Sequence, residues 1–88
     1  MILTRATSEK IKEIRQKIKK IQPSGWMCEG ADDRCNQFFN NDTEAFFLAT
    51  YEGKIISREG NIPFEMYEVA KLEGEISLLI EKEEKQNA

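Results

Sequence analysis

Residues 44–57, EAFFLATYEGKIIS, are the most apolar stretch of the chain, and their reading decides the fold. Ala45–Tyr51 and Lys54–Ser57 carry the aromatic and β-branched residues that suit a pleated, half-buried surface. Between them stands Glu52-Gly53. Glycine at the second position of a two-residue loop accepts the positive φ of a tight hairpin turn. On the first strand Phe46, Leu48 and Thr50 share one face, and Phe47, Ala49 and Tyr51 share the other. On the second, Ile55 and Ser57 point away from Lys54, Ile56 and Arg58. Neither face is cleanly polar, and a lone hairpin is marginal in water. The hairpin, about 44–58, therefore predicts a cover of helices or further strands, from residues 25–28 or from a second copy of the chain.

Helices flank it on both sides. Thr7 or Ser8 can cap a helix over about 8–22, with Glu9 in its positive first turn. Ile11, Ile14, Ile18 and Ile21 recur at spacings of three, four and three, a narrow seam of the coiled-coil type. Such a seam on so charged a helix needs a flat support, either the hairpin or a second copy, and it predicts a homodimer. Pro23 and Ser24-Gly25 stop this helix. After Gly60-Asn61, Pro63 suits the first turn of a second helix over about 63–85. Met66, Val69, Leu72, Ile76, Leu79 and Ile80 form its stripe, widened by Phe64, Tyr67 and Ala70. Gly74 costs this helix about 1 kcal/mol relative to Ala, and predicts either a mild kink or a close approach by another element. The tail EKEEKQNA is charged and is expected to fray.

The segment 23–43, PSGWMCEGADDRCNQFFNNDT, holds no sustained period. Its glycines, paired aspartates and asparagines mark turns, while Asp32–Phe39 can form a short helix. The expected fold is a small single α+β domain over 1–88: N-terminal helix, irregular middle or short helix, β-hairpin and long C-terminal helix.

Eighty-eight residues, 40% hydrophobic and 33% charged, make one globular domain with a thin core. No run approaches the roughly 20 apolar residues of a membrane span. MILTRATSEK lacks the apolar core of a signal peptide, so a cytoplasmic location without membrane contact is the expectation. Charge is segregated. Residues 1–24 carry seven Lys/Arg against two Glu, and residues 25–88 six against fourteen Asp/Glu, local balances of +5 and −8. A basic helix lying beside an acidic one accounts for this, as does a basic arm for nucleic acid.

The chain has no His, which removes the commonest general base, every Ser–His–Asp or Cys–His set, and the usual zinc ligand. Neither a glycine-rich phosphate loop nor an EF-hand pattern is written here. Cys28 and Cys35 read as reduced thiols in the connecting segment, with no cofactor or metal expected. The sequence therefore predicts no enzyme.

What remains is binding. Trp26, Phe38 and Phe39 are candidate anchors for a protein partner, with Asp32, Asp33 and Asp42 supplying charge complementarity, because interface hot spots favour large aromatics ringed by polar groups. The competing role for Trp26 and Phe38 is to fill the core. A non-catalytic module that regulates or inhibits a larger partner fits size and charge, including a phage or mobile-element inhibitor of host defence machinery. One alternative is nucleic-acid binding through Lys17, Lys19 and Lys20. A second is a small-molecule pocket lined by Phe46, Phe47 and Tyr51.

FFLATYEGKIISREG, set between two helices, is similar in pattern to the first two strands of roadblock-type domains. The chain has no room for that fold's remaining strands, and residues 24–43 would be an insertion in it, so the resemblance stops short of membership.

Overall fold

A computed structural model describes residues 3–86. Its element order is α1 (Arg5–Ile21), β1 (Trp26–Ala31), β2 (Cys35–Asn40), β3 (Ala45–Thr50), β4 (Ile55–Glu59) and α2 (Phe64–Gln86). The small α+β class is as the sequence predicts. The strands form one antiparallel meander in the order β1-β2-β3-β4. The main correction concerns residues 23–43, which are neither irregular nor helical. They supply half of the sheet, and β1 pairs only with β2.

The first hairpin was hidden because its turn, Asp32-Asp33-Arg34, contains no glycine. Asp33 and Arg34 both adopt positive φ, 61° and 56°, and Arg34 is held there by its surroundings. Its guanidinium donates to Glu81 at 2.8 and 3.0 Å and lies 5.4 Å from the Tyr51 ring centre. Its carbonyl accepts from the Tyr51 amide at 3.1 Å. One residue thus joins the β1–β2 turn, the β3–β4 turn and α2. In the next turn the Asn40 side chain accepts from the amides of Asp42 and Thr43 at 2.9 and 3.3 Å, and Glu44 takes a φ of 61°.

The β3–β4 hairpin lies where the sequence puts it, with a longer loop. Thr50 and Lys54 close it, the Gly53 amide reaches the Thr50 carbonyl at 2.9 Å, and Gly53 has the positive φ, 90°, that the reading requires. A register shift between Leu48 and Ala49 places a bulge in β4. α1 begins earlier than expected, because Thr4, not Thr7 or Ser8, accepts the Thr7 amide as N-cap.

Both helices cover one face of the sheet. Trp26, Phe38, Ala45, Phe47 and Ala49 from the strands meet Met66, Val69, Ala70, Leu72 and Ile76 of α2 and Ile11, Ile14 and Ile18 of α1. Phe38 stacks on Phe47 with ring centres 4.7 Å apart, and Trp26 tilts against the same ring at 5.8 Å. The isoleucine seam is therefore consumed within the chain. Ile11, Ile14 and Ile18 are buried and Ile21 packs on the core, so the seam is not a free dimer surface. Phe64, read as part of the α2 stripe, is 86% exposed.

Gly74 settles between its two readings. A Cβ there would stand 1.9 Å from the Tyr51 carbonyl oxygen. The glycine lets α2 press against the β3–β4 turn, which sets the height of the helix over the sheet.

Candidate functional site

Alternation along the strands sorts their side chains into a covered and an open face. Trp26, Cys28, Phe38, Phe47 and Ala49 turn toward the helices, as their cross-strand pairing and burial require. On the open face the register sets Met27 opposite Phe39, Phe39 opposite Phe46, and Phe46 opposite Glu59. The adjacent row runs Glu29, Gln37, Leu48, Ser57. No element of the described chain lies over this face. Met27 is 54% exposed, Phe39, Phe46 and Leu48 are half-buried, and Ile56 at the β4 bulge is 53% exposed. Among the described residues this apolar ladder of three large side chains has no cover.

Carboxylates surround the ladder. Glu29 and Glu59 lie in its rows, and the exposed Asp32, Asp33, Asp42 and Glu44 occupy the turns at the sheet's two ends. Of the sequence candidates, Phe39 and the three aspartates fall in or around this face. Trp26 and Phe38 do not: they are 6% and 0% exposed and belong to the core. Sequence reasoning missed Met27, Phe46 and Leu48 as surface residues. The signal for them was the alternation itself, legible once two more strands are placed beside the hairpin.

Phe46 and Phe47 lie on opposite faces of β3, so the small-molecule pocket drawn from Phe46, Phe47 and Tyr51 does not form. Clefts do occur on the helix side. One of about 350 Å³ lies among Arg15, Lys19, Trp26 and Cys28, and one of about 420 Å³ runs on from it past Gly30 to Glu81 and Glu84. Cys28 sits between them. Burial, with Glu73 beside it, pushes its thiol up to about 12, so it stays a neutral S–H. Asn36, buried at the floor, donates to Ser77 at 3.2 Å. Cys28 and Cys35 are both free thiols. Among the described residues no three Cys, Asp or Glu side chains come together as metal ligands.

Lys17, Lys19 and Lys20 are exposed on α1. No ion pair among the described residues joins α1 to α2. Their polar link is instead Glu83, buried against α1, which accepts from the hydroxyls of Thr4 and Thr7 at 2.7 and 2.5 Å. Those hydroxyls, Thr7 first, hold its carboxyl below the usual range. The basic helix thus lies against the acidic one, as a plain reading of the charge segregation expects, without a direct ion pair between them among the described residues. No described helix is long and apolar enough to cross a membrane.

Comparison of the chain with protein-family models, curated proteins and solved structures finds no match.

Proposed function

We propose that this chain is a non-catalytic protein-binding module that regulates or inhibits a larger partner through the open face of its sheet. The observation that carries the reading is the uncovered ladder Met27–Phe39–Phe46, flanked by Leu48 and ringed by carboxylates. Four strands at about 4.8 Å spacing and six residues at about 3.4 Å each make a face roughly 20 Å on a side, ~400 Å². A standard interface takes about 800 Å² per partner, so the partner must reach past the sheet onto the acidic turns. Its complementary surface is an apolar patch rimmed by Lys and Arg.

A second copy of the chain is the weaker occupant. A two-fold interface sets the same patch against itself, and here that brings carboxylates to carboxylates. Nucleic acid is the alternative favoured by one specific observation, the exposed Lys17, Lys19 and Lys20, which form no ion pair among the described residues. The idea of a phage or mobile-element inhibitor follows from small size and acidity, and the captured partner decides it.

The test is capture from host lysate by tagged wild type and by Phe39→Asp, with nuclease, at low and moderate salt. The reading predicts a stoichiometric protein held by wild type and lost by a folded Phe39→Asp. Recovery of nucleic acid alone, lost with salt, would refute it.

A further inference from the structure

The sheet has two edges, and they differ. β4 carries a bulge, Arg58 and Glu59, all devices that discourage strand pairing. β1 has neither a bulge nor a basic residue, and its one charge is Glu29. Its six residues, WMCEGA, pair with β2 in unbroken register, contain no Pro, Lys or Arg, and present their other edge to no strand. The two clefts share Arg15, Cys28 and Glu73, and so form one groove along this strand on its helix side.

The groove is polarised. At the Trp26 end stand Arg15 and Lys19, and at the Gly30 end Glu81 and Glu84. Its middle is the thiol of Cys28 above the buried Asn36. No ion pair among the described residues engages Arg15, Lys19 or Glu84. Gly30 is exposed and has nothing within 4 Å of the point where a Cβ would stand.

We propose that β1 accepts an extended segment of a partner protein as a fifth antiparallel strand, carrying a basic residue and, four positions later, an acidic one. Antiparallel addition matches every pairing already in the sheet and is the commoner mode. It sets the segment's N-terminal half beside Gly30 and its C-terminal half beside Trp26. Side chains at alternate positions enter the groove. Trp26 and Gly30 are four residues apart, about 13 Å, so positions i and i+4 of the segment reach the two charged ends. The basic side chain meets Glu84, next to the Arg34-bound Glu81, the acidic one meets Arg15 and Lys19, and a small apolar residue between them covers the neutral thiol. Main-chain bonds to the edge supply affinity, and the two charges supply direction. This edge adjoins the open face along β1 but is engaged through main-chain pairing rather than through the ladder, so its failure leaves that reading intact.

The probe is the peptide acetyl-Thr-Lys-Thr-Val-Thr-Glu-Thr-amide, titrated into the isotopically labelled protein and followed by amide chemical shifts. The control is the same composition with Lys and Glu exchanged. The inference predicts saturable shifts centred on β1, binding at least about tenfold weaker for the exchanged peptide, and loss of binding in Gly30→Lys, whose side chain enters open space and blocks the edge. Lys19→Glu, a surface change that leaves the fold alone, should weaken the first peptide and strengthen the second. Equal binding of the two peptides, shifts confined to another surface, or no saturable shift at all would overturn it.

Discussion

Replacing Gly74 by Ala tests how α2 is held on the sheet, because two effects of known size oppose each other there. In an exposed helix interior the change would stabilise by about 1 kcal/mol. Here the new methyl would lie 1.9 Å from the Tyr51 oxygen and 2.7 Å from its carbonyl carbon. Ordinary contact begins at 3.4 Å, so helix and turn must part by about 1.5 Å. Both clashing atoms are backbone, and no rotamer change relieves them. The Asn36–Ser77 bond at 3.2 Å and the Arg34–Glu81 pair, farther along the same helix, are pulled with it. Overpacking of this kind costs up to about 3 kcal/mol, leaving a net loss of about 2 kcal/mol after the propensity gain. For a domain of this size that lowers the melting temperature by about 8–16 °C. Urea melts of wild type, Gly74→Ala and Gly30→Ala measure it, the last being the same change where nothing lies within 4 Å. A Gly74→Ala protein more stable than wild type would refute the close approach and the helix placement that depends on it.

Further expectations follow from the same geometry. Phe38→Ala should cost about 3–5 kcal/mol of stability while Phe39→Ala costs much less, since the neighbours face core and open side respectively; urea midpoints compare them. Glu83 has a folded-state pKa below its unfolded value, so its contribution is fully present above about pH 4.3 and fades as pH falls through the depressed folded value. Glu83→Gln should therefore destabilise the protein at pH 7 and flatten the acid limb of a stability–pH profile. Cys28, with its thiol pushed up to about 12, should be alkylated much more slowly at neutral pH than an ordinary thiol, as read by mass spectrometry.

The elements that were legible in the sequence are those whose own periodicity states their burial. The Ile seam gives α1, the long apolar stripe gives α2, and the Phe-rich run with its Glu52-Gly53 turn gives β3 and β4. The first hairpin was illegible for three physical reasons. Asn36 and Asn40 occupy buried positions where apolar residues would have shown the alternation, and each is satisfied by groups distant in sequence or in the following turn. Asp33 and Arg34 take the positive φ that sequence reading assigns to glycine. Cys35, the most buried residue of the open-face set, looks polar enough for a loop. Losing that hairpin also misplaced candidate residues between core and surface. Without β1 and β2 beside β3, Trp26 and Phe38 read as exposed anchors, and the true open-face row of Met27, Phe39 and Phe46 could not be assembled. The seam argument for a dimer had the same origin, because a sheet of two strands leaves the α1 seam open and the four-stranded fold buries it.

The most direct test of the open sheet face as the binding surface is hydroxyl-radical footprinting of the chain alone and in complex with its captured partner. The account predicts that Met27, Phe39 and Phe46 are oxidised in the free protein and protected in the complex, while exposed Phe64 on α2 stays equally reactive in both. Unchanged oxidation of Met27, Phe39 and Phe46, with protection appearing elsewhere, would contradict it.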